Sequence, residues 1–476
     1  MVLKAPKHGN STECHYWGYS FHWTDLHRSE EELRPMIYTY DKLADECVEI
    51  LNKIQIPTSS GGDEKPFHKD LYGLLRDHQD GDPKLKELWD QVNTVPEWVD
   101  WDQIQRGQDM FFRYGLPILN TLSFESLLGG MGATRVVETL TRTGGFGAKV
   151  VRRRLLETLQ HILQVNSSAE GMKPGGEGNV SSIRVRLLHS SVRLRILSLI
   201  KESPTYYDIN KSGIPVSDLD CIGTINTFCG SVVWLGLPRQ GIFVSEQEIK
   251  DYIALWRLVA WYMGTRTECF ETPEKTKAMM ESSLVSEIDP SEVGRVLAKN
   301  IIIGLENTAP AYASKEFIEA MSRLLNGDQL ADQLGIPRPS LYYRLLIWGY
   351  CFWVSGISFV IPKIWFMDRI MIALRRKYFY KLITDPKIGL GKESRFDFKY
   401  IPTLTRTTRL GERRTIKFER PGIENLARLG LLAALTAVLA LGMGLMLAAR
   451  VISSNHLQIF NAIQILQCLS VKDALV

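Results

Sequence analysis

The stretch Ser182–Ile200, SIRVRLLHSSVRLRILSLI, decides how the rest of the chain is read. Arg186, His189 and Arg193 stand at i, i+3 and i+7, so on a helix they share one side. An imidazole between two cations is the residue set that an iron porphyrin with two propionates needs. The plainer reading is a basic helix whose charges are solvated or salt-bridged.

Upstream, Arg152–Val165 reads RRRLLETLQHILQV and sets Arg154, Thr158 and His161 along a second helical face. An arginine and a threonine facing a cofactor can hold or polarise dioxygen. The plainer alternative is an amphipathic helix with an i, i+4 pair between Glu157 and His161.

Outward from these segments the punctuation stays helical. After Pro35, apolar residues recur from Met36 and Ile37 through Leu43, Cys47 and Leu51 to Ile54, which predicts one helix with proline in its first turn. Ser245 and Glu248 form a capping box ahead of Ile249, Ile253, Trp256 and Val259. Asp289 and Pro290 open a further helix toward Ile303. Alternating β-patterns are scarce, so the expected fold class is all-α, a helical bundle. Loops are expected at Ser59–Lys65 and Ser167–Ser182.

At 476 residues the chain can bury a sizeable core, and its composition, 45% hydrophobic and 23% charged, excludes wholesale disorder. A formal net charge of +4 is too small over this length to mark a nucleic-acid binder, so no nucleic-acid partner is expected. The seven cysteines are scattered, with no C-x-x-C pair, which predicts reduced thiols and a body facing the cytosol. The amino end, MVLKAPKHGNSTEC, has no apolar stretch behind its basic start, so no secretory signal peptide is expected there.

Leu429–Ala449, LGLLAALTAVLALGMGLMLAA, is uncharged and about as long as the roughly 20 residues that cross a hydrocarbon core. A C-terminal transmembrane helix is expected. Arg406, Arg409, Arg413, Arg414, Lys417, Arg420 and Arg428 precede it and little beyond Arg450 and Lys472 follows, which places the body in the cytosol and the tail in the lumen. The sequons at Asn10, Asn166, Asn179 and Asn210 then stay unglycosylated. A second apolar run, Leu345–Ile361, is read as a packed or interfacial helix, because a span there would carry the whole body into the lumen.

Other signals carry less. GGFGAK (Gly144–Lys149) lacks the residues and spacing of a phosphate-binding loop and reads as a helix-linking turn. His15, His22 and His27 lie in an aromatic segment without H-E-x-x-H, so a zinc hydrolase is not expected. Cys229 reads as a core cysteine rather than a haem thiolate.

RLLET (Arg154–Thr158), a Gly-rich loop, VRLLHSSVR (Val185–Arg193), GIPVSDLDCIGTINTF (Gly213–Phe228), EIKDYIALWRLVAWYMG (Glu248–Gly264) and DQLGIP (Asp332–Pro337) follow one another in order. Together they resemble the core signature of the latex-clearing rubber oxygenases and the fungal ER-bound oxygenases, over residues 95–375. The resemblance implies a globin-like core holding haem b, with His189 as the proximal iron ligand, O2 as co-substrate, and Arg154 and Thr158 as catalytic residues on the distal side. It also implies Arg186 or Arg193 near the propionates. A distal lysine of the best-known bacterial members is replaced here by Glu157, which argues against rubber itself as substrate. Glu138, in VVETL, matches a glutamate proposed as a base in the bacterial enzymes.

The expected organisation is an N-terminal helical region (1–94), a catalytic domain (95–375), a basic connector (376–428), a transmembrane helix (429–449) and a short tail (450–476). The expected activity is oxidative cleavage of a carbon–carbon double bond in an apolar, isoprenoid or prenylated secondary metabolite, by an enzyme tethered to the cytosolic face of the endoplasmic reticulum. A membrane tether raises the local concentration of lipid-dissolved substrate. Two other readings stay open: a non-catalytic lipid- or isoprenoid-binding membrane protein, and a haem enzyme that hydroxylates or dehydrogenates.

Overall fold

Side-chain oxygens accept the first free N–H groups of most helices here, and these caps decide where the chain turns. The computed structural model describes residues 13–54, 69–396, 410–412 and 422–473, with side chains described up to residue 450. Asn10, the segment Ser59–Lys65 and the basic residues from Arg406 to Arg420 named above lie outside the described residues, as does the side chain of Lys472.

An antiparallel hairpin comes first (β1, Glu13–Tyr16; β2, Tyr19–His22). The principal helices follow as α1 (Lys42–Lys53), α2 (Leu71–His78), α3 (Pro83–Asn93), α4 (Trp101–Arg113), α5 (Thr134–Thr143), α6 (Val151–Val165), α7 (Glu177–Glu202) and α8 (Asp218–Phe228). Then come α9 (Glu246–Tyr262), α10 (Pro273–Ser286), α11 (Glu292–Leu305), α12 (Lys315–Gln333), α13 (Leu341–Val360), α14 (Trp365–Thr384) and α15 (Ile423–Asp473). The fold is an all-α bundle.

Several boundaries differ from expectation for local reasons. The stripe after Pro35 breaks into a 3-10 turn, Arg34–Ile37, and α1, because the Asp41 side chain accepts from Ala44 N at 3.1 Å and starts a new helix. Ser291, rather than Asp289, caps α11. The loop after α6 is shorter than read: Ala169–Met172 forms a helical turn and α7 already begins at Glu177. The Ser245–Glu248 capping box forms as expected, and Gly144 ends α5 with φ 68°. Helix α14 continues to Thr384, well into the stretch read as a connector.

The central core gathers Phe111, Phe112, Trp256, Val259, Tyr262, Ile301 and Met321, all with almost no exposure. Burying side chains of this size stabilises the fold by about 1.5–3 kcal/mol each, before ordering entropy is counted. Helices α4 and α9 touch backbone to backbone at Gly107, where a Cβ would meet Asp251 O at 2.4 Å. A smaller cluster joins α1, α2 and α3 to Ile183 and Leu187 of α7. Helix α7 is thus covered on one side by the amino-terminal helices and on another by α6.

Among the described residues three helical stretches are long and apolar enough to cross a membrane: Asp218–Arg239, Leu341–Lys363 and Ile423–Arg450. The first is mostly buried in the core, whereas no residue in the apolar window of the third is buried.

Candidate active site

Helices α6 and α7 meet where Gly178 lets the backbone of Val165 approach; a Cβ at Gly178 would lie 3.0 Å from Val165 Cα. At the same junction His161 Nδ1 and Ser181 Oγ are 2.9 Å apart. Beside this contact lies a cavity of about 320 Å³. Its walls include Arg154, Glu157, Thr158 and His161 of α6, and Val185, Leu188, His189 and Val192 of α7. Most of the remaining lining is apolar, including Leu127, Met131, Phe146, Ile225, Phe228 and Phe396.

His189 is only half-buried by area because its open side faces this cavity. Among the described residues its ring makes no hydrogen bond. Burial, then the guanidiniums of Arg193 and Arg154, push its pKa down to about 4. Burial, then the neighbouring His189, pushes His161 down to about 3. Both imidazoles are therefore neutral at pH 7, the form in which a ring nitrogen can ligate a metal. His161 Nε2 is buried without a partner among the described residues, a costly state for a polar atom unless something in the cavity meets it.

The structure departs from the sequence reading at the two flanking arginines. Arg186 Nε lies 2.6 Å from Asp41 Oδ2, and its Nη2 also reaches Gln91 Oε1 at 2.9 Å. Arg193 Nη2 lies 2.6 Å from Asp45 Oδ1, and its Nη1 donates to Val216 O at 2.7 Å. Neither lines the cavity, because their shared azimuth on α7 faces α1 while His189 is turned toward α6. The cations that do line it are Arg154 and Arg135. Arg135 was missed in the sequence; it sits one residue before the VVETL motif, and its Nη1 lies 3.1 Å from Asp220 Oδ1.

Glu138 is placed outside the lining. Its Oε2 accepts from Arg142 Nη1 at 2.7 Å, while its neighbours Val136, Thr139 and Leu140 form the wall. The carboxylates that reach the cavity are Glu157, Asp220 and Glu287. Glu157 receives Arg153 Nε and Arg154 Nη1, both at 3.1 Å, and Ser394 Oγ at 3.3 Å. Thr158 Oγ1 donates to Arg154 O at 3.2 Å, and Thr158 lines the cavity. Cys229 is buried in the core, as read.

Two features of the wall had no signal in the sequence. Residues Thr121–Leu127 and Val232–Gly236 form π-helical turns, a geometry often found at functional sites, and Ser126 within the first and Ser231 just before the second line the cavity. The carboxyl of Glu125, in the first of these turns, is pushed up to about 8 by burial. Phe396 comes from the stretch read as a connector, which folds back over α6 and sets its ring edge-on to His161, centroids 6.4 Å apart.

The donor set fits a haem. Among the described residues the neutral His189 imidazole has no protein partner and is available to iron, and apolar walls suit a flat ring; the wall arginines, Arg154 on Glu157 and Arg135 on Asp220 and Glu287, would exchange those partners for the carboxylates of the ring.

Residues 116–355 match the family model described as ER-bound oxygenase mpaB/B'/Rubber oxygenase, catalytic domain. The rubber oxygenase of Streptomyces sp. (strain K30) is 20% identical over 285 residues, which covers 58% of this chain and 67% of that protein. Aurantioclavine synthase cnsA of Penicillium expansum is 47% identical over 53 residues, 11% of each chain. The structure of latex clearing protein LCP in the closed state superposes with a TM-score of 0.56 at 19% identity, covering 72% of this chain and 91% of that one. That likeness concerns the fold.

Proposed function

The chain belongs to the family of ER-bound oxygenases and rubber oxygenases, and from that premise we propose that it is a membrane-anchored, haem b-dependent oxygenase acting with O2 on an apolar small molecule. The observation that carries this reading is the pair of neutral imidazoles, His189 and His161, facing one apolar cavity with no partner among the described residues for His189 or for Nε2 of His161. When bound, the haem supplies activation of O2.

The chain's own residues do the rest. His189 offers a neutral ring nitrogen as ligand. Arg135 and Arg154 would hold the carboxylates of the ring by exchanging their present carboxylate partners, and the Thr158 hydroxyl and Arg154 N–H groups would orient O2. The apolar walls hold the substrate and exclude water. Oxidative cleavage of a carbon–carbon double bond, with one oxygen atom of O2 ending in each of two carbonyl products, is the reaction assigned. An isoprenoid or prenylated metabolite suits the apolar lining.

A second reading, oxidation without cleavage, is favoured by Glu157, which holds Arg154 at 3.1 Å and lowers the positive potential on that side. The name synthase of the relative with the higher local identity is in keeping with it. Helix α15 anchors the protein, and the family description supports the endoplasmic reticulum as its membrane. The sequence pattern supports a cytosolic body.

The test is an absorption spectrum of the detergent-purified full chain. About one haem b per chain with a Soret band is expected, and a colourless protein after expression with ample haem precursor overturns the proposal. Under labelled dioxygen, two carbonyl fragments each carrying label support cleavage; a single labelled product supports the second reading.

A further inference from the structure

Helices α13 and α14 form a hairpin whose outer side is strongly apolar and open. Trp365 is 75% exposed, Trp348 and Phe359 are each 66% exposed, and Phe352, Phe366 and Ile370 join them. Soluble monomers seldom expose a contiguous apolar patch above a few hundred Å². We propose that this face is a second membrane contact, lying at the acyl–headgroup boundary of the leaflet that α15 enters first. The proposal rests on reading α15 as a membrane span.

Continuity with α15 identifies lipid as the occupant. The two helices touch backbone to backbone: a Cβ at Gly349 would meet Leu431 N at 2.5 Å, and one at Gly430 would meet Gly349 O at 2.1 Å. They run in the same direction, since Arg428 Nε lies 3.0 Å from Tyr342 OH, while the later Gly430 lies beside Gly349 and Trp353. From Leu432 onward the large side chains of α15 are exposed. Any bilayer that surrounds α15 there also bathes the neighbouring outer face of α13.

The same geometry makes the contact shallow. The inner face of α13, with Leu346, Ile347, Tyr350 and Val354, is buried on the body, and Asn120 Nδ2 donates to Tyr350 OH at 2.7 Å. Past the turn, Arg113 Nε and Nη2 reach Asp368 at 2.8 and 2.7 Å. Five residues of helix rise only about 8 Å, so the tip at Lys363 stays close to the body surface. A crossing by α13 would drag the Arg113–Asp368 pair into hydrocarbon, at the cost of desolvating both charges.

Charge agrees. Residues 341–384 contain seven basic side chains and one acid, and that acid, Asp368, is buried against Arg113. Arg344, Lys363 and Lys377 remain exposed on the hairpin, suited to anionic headgroups.

Helix α15 contains no tryptophan, which supplies a test. The full chain is reconstituted, one copy per nanodisc, in lipid brominated near the upper acyl carbons, and its tryptophan fluorescence is compared with that of a Trp348→Phe, Trp365→Phe variant. The parent should be quenched by the brominated lipid, and the variant should lose most of that quenchable emission. An unchanged quenchable fraction in a chain that does enter nanodiscs overturns the hairpin contact, including the case in which a second copy or another protein covers this face. A chain that fails to enter them overturns the α15 span, and the hairpin proposal with it.

Discussion

On the face of α7 turned to α1, Arg193 and Asp45 are both buried and their N–H and carboxylate groups meet at 2.6 Å. On the face turned to α6, His189 makes no hydrogen bond among the described residues and His161 leaves Nε2 unpartnered. The first face fastens the amino-terminal helices to the body. The second leaves polar atoms unpartnered, among the described residues, at the wall of the cavity. With the proposed haem site, α7 separates residues whose loss should harm stability from residues whose loss should harm binding.

The largest effect is expected where a buried charge is orphaned. Asp45→Ala leaves Arg193 enclosed without its carboxylate, which should cost about 3–5 kcal/mol. A urea unfolding curve of the variant should show a clearly lower midpoint. A midpoint unchanged from the parent would show that this face is not a fastening.

His189→Ala should do the reverse. It should abolish stable haem retention, seen as loss of the Soret band, while the unfolding free energy of the apoprotein changes by only about 1 kcal/mol. His161→Ala should keep its haem. Equal loss of the Soret band in both variants would erase the distinction between the two imidazoles.

Acid should reveal the cavity face as well. An imidazole depressed to about 4 or 3 takes up a proton in the unfolded chain, near pH 6.5, before it does so in the folded one. Between those values the unfolded state binds more protons, so apoprotein stability falls as pH drops below about 6.5, by up to about 1.4 kcal/mol per pH unit for each group. Replacing both histidines by alanine should flatten that slope, and an equally steep slope in the double variant would assign it to other groups.

The smallest effect is expected at Glu157→Gln, which loosens partly exposed pairs with Arg153 and Arg154 and should cost about 1 kcal/mol or less. It should raise the affinity of the haem protein for cyanide a few-fold, because one negative charge beside Arg154 is gone. Weaker cyanide binding would place Arg154 away from the ligand side.

Much of this arrangement was legible beforehand. Periodicity located α6 and α7, the Ser245–Glu248 pair announced the start of α9, and an uncharged run of membrane length marked α15, because each signal is local. The partners of Arg186 and Arg193 were not legible. Helical spacing gives an azimuth, but Asp41 and Asp45 lie far away in the chain and reach α7 only once α1 docks. Phe396 was hidden for the same reason, inside a stretch whose composition suggested only a connector.

What the sequence by itself determined is the all-α class, the helix pair that bears His189, and the apolar length of α13 and α15. These follow from the order of polar and apolar residues along one strand of chain. Only the tertiary structure decided which face of each helix meets protein. It turned His189 to the cavity, Arg193 to Asp45, and Trp348 and Trp365 outward. Burial is a property of what docks against a surface, and docking joins segments that share no local pattern.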